Sequence, residues 1–303
     1  MSRSAFEIRR LDPERDAPSV VDLIHETFPS TQTPASWRQQ HASVPARARH
    51  EGWVATVDGA VAGHAWASLH PWSEHRTALT GLGVGRRFRR RGIGSALWER
   101  NQRHLDDLAP SRVLTWFVER ADAVSFARAR GFGEERADAL SGVDPAAVDY
   151  SRLNTAEVEL APLAALRAED VYELDRITTA DVPMTDHVEM PFDEWVEMIW
   201  RRPTIRLEGS FGAVEDSRPV AMTVLAANVD KRRGFNEYTG TLPDRRGRGL
   251  ATLVKLASLR WARDHGLTEV WTTNDETNAP MLAVNRRLGY EVRLRRVEYI
   301  RES

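Results

Sequence analysis

The chain has 303 residues, of which 42% are hydrophobic and 28% charged, with a formal net charge of −2. That length suits two domains of about 150 residues better than one hydrophobic core. The near-neutral balance gives no general attraction to nucleic acid or to an anionic membrane. Cysteine is absent, which excludes disulfides, thiolate metal ligands and cysteine nucleophiles. No apolar run approaches the roughly 18 residues of a membrane span, and no signal-like core stands near the start, so a cytoplasmic protein is expected.

In chain order, residues 6–11 read as a strand and 17–28 as an amphipathic helix. Strands at 52–57 and 60–69 flank Asp58-Gly59, the strongest short hairpin signal. A strand at 78–84 and a helix at 95–108 follow. The second half repeats this plan, with a strand at 156–160, a helix at 165–177 and paired strands at 211–214 and 219–227. A strand at 237–242, a helix at 251–265, a strand at 269–273 and a helix at 279–288 complete it.

The repetition extends to particular residues. Arg89-Arg90-Arg91-Gly92-Ile93-Gly94 precedes a helix and later Gly131-Phe132; Arg246-Gly247-Arg248-Gly249-Leu250-Ala251 precedes a helix and later Gly289-Tyr290. The offsets, 246 − 89 = 157 and 289 − 131 = 158, are nearly constant, which argues for duplication. The expected domains are 1–150 and 155–303, each a mixed, mostly antiparallel sheet flanked by helices, an α/β (α+β) class.

Small residues between a strand and a helix let the backbone turn tightly and approach a ligand closely. The free N–H groups of the loop and helix start then converge, and the helix dipole favours an anion there. A phosphate or pyrophosphate ligand fits, and the arginines crowd that loop. A single such glycine loop is often only a tight turn, but here two occur in the same strand–loop–helix context.

Both loops resemble motif A of the GNAT acetyltransferase superfamily, Arg/Gln-x-x-Gly-x-Gly/Ala. The resemblance covers both halves, and the second also resembles actinobacterial tandem members through Asn278-Ala279-Pro280-Met281-Leu282-Ala283-Val284-Asn285. It implies two tandem GNAT folds that use acetyl-coenzyme A as acyl donor, with a small-molecule amine as partner and no metal. Cofactor contacts are then expected from Thr241, Leu242, Arg246, Gly247, Arg248, Gly249, Leu250, Ala251, Asn278 and Asn285, and in the first half from Val84, Arg89, Arg91, Gly92 and Gly94. Val84 fits the family's apolar position before the arginine; Thr241 departs from it.

The resemblance also places a general base four or six residues before Val84 or Thr241, on one strand face by the period of two. The first half offers Thr80 and Ala78, neither a base; the second offers Phe235 and Glu237. Glu237 is the expected base, or else a solvated glutamate near a strand end. The family's usual acidic tyrosine is replaced by Ala127 and Asn285, leaving Tyr290 and Tyr299 as remote alternatives or packing residues. An asparagine that often contacts the cofactor falls at Asn278 in the second half but is Arg120 in the first. A backbone N–H near Thr241 or Leu242 is the implied donor to the thioester carbonyl. The second half therefore reads as catalytic and the first as a structural or cofactor-binding partner.

Between the second half's first helix and its paired strands, ten acidic residues from Glu169 to Glu197 face one basic residue, Arg176. Such a lid attracts a cationic amine, or is simply a solvated face. Trp195 and Trp200 either line a pocket there or pack the lid down, and His187 either assists proton transfer or is a surface residue. A different class, a non-catalytic acyl-CoA-binding or sensing protein, is favoured by the missing tyrosines.

Overall fold

The computed structural model describes residues 6–73, 75–155, 157–180 and 190–303. It divides into two compact units, Met1–Ala137 with Arg296–Ser303, and Asp138–Arg295.

The first unit contains β1 (Phe6–Arg10), α1 (Pro13–His25), α2 (Pro34–Ala42), β2 (Glu51–Val57), β3 (Ala60–Leu69), β4 (Thr77–Val84), α3 (Ile93–Leu108), β5 (Arg112–Val118) and α4 (Ala121–Arg128), and the start of β6 (Gly133–Val143). Asp12 starts α1, because its carboxylate accepts the Glu14 and Arg15 N–H groups and Pro13 fits the first helical turn. Asp58 and Gly59, both at positive φ, turn β2 back as β3. The sheet runs β1-β2-β3-β4-β5 and closes with the end of β12 (Glu291–Glu302). All its pairings are antiparallel except β4–β5. One face is covered by α3, whose Ile93 and Leu97 pack with Ala55, Ala65 and Phe88.

The second unit contains β7 (Glu159–Pro162), α5 (Ala168–Thr179), the short α6 (Phe192–Trp195) continued by a π turn at Val196–Trp200, β8 (Phe211–Glu215), β9 (Arg218–Asn228) and β10 (Arg233–Thr241). It continues with α7 (Leu250–Asp264), β11 (Glu269–Asp275), α8 (Ala279–Arg287) and the start of β12. Its sheet runs β7-β8-β9-β10-β11-β6, with only β10–β11 parallel. The apolar side of α7, including Leu256 and Leu259, packs on Leu225, Ala227 and Val270. On the other face, α5, α6 and the π turn bury Trp195 against Val171, Leu174, Met222 and Val224.

These units differ from the contiguous division 1–150 and 155–303. β6 leaves the first unit at Ala137 and pairs Asp138–Val143 with β11 of the second, while Arg296–Glu302 of β12 pairs with β5 of the first. Each sheet is thus completed by a strand that begins in the other unit. No apolar pattern marks either crossing point.

Candidate active site

In each unit the parallel strand pair separates partway along. β4 pairs with β5 only through Thr77–Leu79, and β10 pairs with β11 only from Arg233 to Asn236. Beyond those points both strands continue, leaving backbone groups of β4 and β10 directed into a gap. Leu242 N–H donates to Val220 O at 2.9 Å, and Gly85 N–H to Ala62 O at 3.0 Å. Since successive N–H groups alternate in direction along a strand, those of Thr241 and Val84 point away from the neighbouring strand and into the gap. Of the two donors expected near the thioester, Leu242 is therefore occupied within the sheet and Thr241 is available.

The second unit has a feature the first lacks. β4 keeps an unbroken register on β3, from Gly63↔Val84 to Leu69↔Ala78. β10 slips on β9 between Asn236↔Leu225 and Tyr238↔Val224, so Glu237 is an extra residue in a β-bulge. The bulge reverses the strand's phase. Asn236 reaches Lys255 of α7 on one face, whereas Tyr238 reaches Thr178 of α5 on the other, its hydroxyl donating to Oγ1 at 2.6 Å. Glu237 turns to the α5 side as well, where Arg202 Nη2 lies 2.8 Å from its Oε1. The simple period of two fails here, and Glu237 does not share the face of Thr241. Thr80, at 4% exposure, instead lies under α3, its hydroxyl accepting from Asn101 Nδ2 at 2.8 Å and donating to Trp66 O.

The glycine loops match closely. Arg89 Nε donates to Val84 O at 3.0 Å, and Arg246 Nε to Thr241 O at 3.2 Å, so each arginine ties its loop to the preceding strand. Gly92 and Gly249 cap α3 and α7 at φ +87° and +78°, and neither helix start has a side-chain cap. The uncapped first turns are ready anion sites. In the second unit Arg152, from the segment before β7, brings Nη2 to 3.2 Å from where a Gly249 Cβ would stand. These groups fit a pyrophosphate.

A family model for "Acetyltransferase (GNAT) family" matches residues 17–132 and 169–290. The chain belongs to the GNAT acetyltransferase family. A mycothiol acetyltransferase of Thermobifida fusca (strain YX) is 27% identical over 302 residues, covering 92% of this chain and 88% of that protein. Among solved structures, a tandem GNAT protein from the clavulanic acid biosynthesis pathway superposes with TM-score 0.74 at 23% identity, covering 98% of each chain. A GCN5-related N-acetyltransferase from Sphaerobacter thermophilus gives 0.69 at 20%, covering 100% of this chain and 96% of the other. The two structures share the tandem fold, and the chain is an N-acetyltransferase by family.

The remaining expected residues of this acetyltransferase are divided between the loop and supporting positions. Thr241 ends β10, and Arg246, Gly247, Gly249, Leu250 and Ala251 lie at the loop and first turn of α7. Arg248 is drawn into an ion pair with Glu215 at 2.6 Å, alongside Arg245. Asn278 caps α8, accepting Met281 N–H at 3.2 Å. Asn285 is buried and donates to Asn274 Oδ1 at 2.6 Å, fixing α8 to β11, while its own Oδ1 has no partner. In the first unit Arg91 stacks over Phe88, and Gly94 is packed by Phe126, 3.3 Å from an ideal Cβ. Tyr290 and Tyr299 are buried packing residues, at 4% and 0% exposure.

Asp181, Asp186, His187 and Glu189 of the acidic lid lie outside the described residues. Of the others, Glu169 and Asp170 approach Arg167, Glu173 pairs with Arg176, and Glu197 pairs with Arg201. Four of the lid's carboxylates thus lie beside three arginines. Asp175 differs: Trp195 Nε1 donates to it at 2.9 Å, and burial raises its pKa to about 6. Trp195 itself stacks among Tyr172, Phe192 and Trp200, packing the lid onto the sheet. Among the described residues no group of three acidic or histidine side chains is arranged to hold a metal, and no helix is long and apolar enough to cross a membrane.

The sequence reading did not find Arg152, Arg202, Tyr238 or Lys255. Arg152 and Arg202 lie outside every motif, and Tyr238 acquires its direction only from the bulge. Lys255, buried within an apolar helix face, was legible as a charge out of place.

Proposed function

We propose that the enzyme uses acetyl-coenzyme A to acetylate the primary amine of a small cationic molecule by direct transfer, in the second unit. The observation that carries this reading is the β10 bulge, which turns Glu237 toward α5 beside the open end of the β10–β11 gap. When bound, acetyl-coenzyme A supplies the acetyl thioester. The first-turn N–H groups of α7, with Arg246 and Arg152, hold its pyrophosphate, and the Thr241 N–H donates toward the gap where the thioester carbonyl belongs. Glu237 accepts the proton from the acceptor ammonium, directly or through water, and Arg202 orients the carboxylate. Asp175, with no arginine beside it among the described residues, adds negative charge on the same side and favours a cationic acceptor. The mycothiol acetyltransferase relative is in keeping with a small-molecule acceptor.

The first unit, with a complete glycine loop but no bulge in β4 and a buried Thr80, serves as a structural or cofactor-binding partner. Calorimetric titration of acetyl-coenzyme A into wild type, the double variant Arg89→Glu/Gly92→Glu and the double variant Arg246→Glu/Gly249→Glu tests the assignment. Loss of binding and of amine-dependent thiol release in the second double variant is expected. Retained turnover there, with loss in the first double variant, overturns this assignment and places the chemistry in the first unit.

A further inference from the structure

The chain contains only two lysines, Lys231 and Lys255, so that 42 − 2 = 40 of its basic residues are arginine. One of the two is inside the protein. Lys255, in the second turn of α7, is 1% exposed. A buried cation normally has a carboxylate partner; Lys255 has Asn236 instead. Its Nζ donates to Asn236 Oδ1 at 2.7 Å and lies 4.9 Å from the centre of the Tyr290 ring.

Asn236 is the last residue of β10 that pairs with β11, and the residue immediately before the bulge. Its side chain and carbonyl join several elements. Thr239 Oγ1 also donates to Oδ1, at 2.9 Å; Nδ2 donates to Thr223 Oγ1 of β9 at 2.6 Å; and Thr272 Oγ1 of β11 donates to the Asn236 carbonyl at 3.2 Å. The Lys255 bond adds α7, the helix whose first turn forms the anion site. An arginine at this place would need acceptors for five N–H donors, whereas one amine needs far fewer.

The first unit gives an internal comparison. Through the sheet pairings, Asn236↔Leu225 corresponds to Thr80↔Ala67, and beyond the bulge Tyr238↔Val224 corresponds to Gly81↔Trp66. Glu237 therefore has no counterpart. At the corresponding point of the first unit, Asn101 of α3 donates to Thr80 without any bulge. At the place of Lys255, Trp98 stands against Phe132. The long lysine reach and the bulge occur together.

We propose that Lys255 is a positioning residue, which holds Asn236 against α7 and so fixes the bulge that turns Glu237 and Tyr238 to the acceptor side. The importance of this tether for transfer rests on the reading of Glu237 as the base; the tether itself does not. Burial lowers the amine's pKa to about 7, and both its protonation states can donate to Asn236. The tether thus persists across neutral pH.

Amide hydrogen exchange, resolved by NMR, on Lys255→Met and Lys255→Gln tests the proposal beside acetyl-coenzyme A titration and thiol release with a panel of primary amines. In Lys255→Met, exchange at Glu237 and Tyr238 is expected to speed up about tenfold or more, with α7 unchanged. Donor affinity stays within about threefold while kcat falls about tenfold, and Lys255→Gln, which keeps a donor, recovers part of both effects. If Lys255→Met does not fold, Asn236→Ser, which shortens the acceptor, carries the same measurements. Unchanged exchange at Glu237 and Tyr238 overturns the proposal, whatever the turnover. Full turnover in Glu237→Gln overturns the assignment of the base and leaves the exchange result to decide on Lys255.

Discussion

Arg202 Nη2 stands 2.8 Å from Glu237 Oε1, and the two side chains are 13% and 33% exposed. With the carboxylate a third exposed to water, the pair contributes modestly to stability, on the order of 1 kcal/mol. Its effect is directional, because it selects one orientation for a carboxylate on an irregular stretch of strand. Arg202→Met is therefore expected to shift the unfolding midpoint little, to lower kcat for amine acetylation about tenfold and to leave acetyl-coenzyme A affinity unchanged. Glu237→Gln is expected to cost about 10²–10⁴ in kcat, the usual contribution of a general base. Steady-state thiol release separates the two, and equal loss of donor binding in both variants contradicts the roles given to them.

The two glycine loops differ at one strained position. Gly247 adopts φ +78°, and its counterpart in the first unit is Arg90, at φ +63°. A left-handed conformation costs a residue with a side chain roughly 1–2 kcal/mol, partly offset in glycine by greater freedom of the unfolded chain. Arg90→Gly should stabilise the first unit by up to about 1 kcal/mol, and Gly247→Ala should destabilise the second by a similar amount. No atom lies within 4 Å of a Gly247 Cβ, so the second effect is conformational, not steric. Thermal unfolding of the two variants reads the opposite signs.

How far the sequence carried this picture depends on what each feature is made of. The glycine loops were legible because they are local: Gly92 and Gly249 need positive φ, and that requirement falls on the residue itself. The duplicated strand–loop–helix order and the Asp58-Gly59 turn were readable for the same reason. The bulge was not, because its evidence is a change of register between β9 and β10, and the constant offset of 157 sets Glu237 opposite Thr80 when structurally it is an added residue. The crossing of β6 and β12 between units was hidden too, since their pairing partners are distant in sequence. Composition suggested an acidic lid, yet four of those carboxylates lie beside Arg167, Arg176 or Arg201, two of which stand outside or at the margin of the acidic run that composition picked out.

The first unit should be sensitive to acid. His50 and His64 both have pKa values lowered to about 4, chiefly by burial, with His41 and His104 adding repulsion at His50. The folded state keeps both rings neutral while the unfolded chain protonates near 6.5, so the unfolded state binds more protons between those values. Stability is complete above about 6.5 and falls as pH drops toward 4, by up to roughly 3 kcal/mol for each ring. His50 stacks on Trp66 and meets His41 edge-on. His50→Phe preserves that packing and should flatten part of the slope. Urea unfolding at pH 7 and pH 5 measures it, and an unchanged slope in the variant excludes His50 as a source.

Asp175 gives the opposite sign on the other unit. Burial raises its pKa from 3.8 to about 6, although Trp195 and Thr179 donate to it. Between those values the folded state holds a proton that the unfolded chain has released, so stability declines as pH rises from 3.8 through 6 and the loss remains at pH 7. Asp175→Asn should raise stability at pH 7 by about 2 kcal/mol and remove that part of the slope. It should also raise KM for a cationic amine several-fold while leaving acetyl-coenzyme A affinity intact, because the carboxylate is on the α5 side and not at the glycine loop. A gain in stability with weaker amine binding is the signature of a charge kept for its ligand at the expense of the fold. Greater stability with unaltered KM across the amine panel would reduce Asp175 to a packing residue, and the acceptor's charge would then have to be recognised by Glu237 alone.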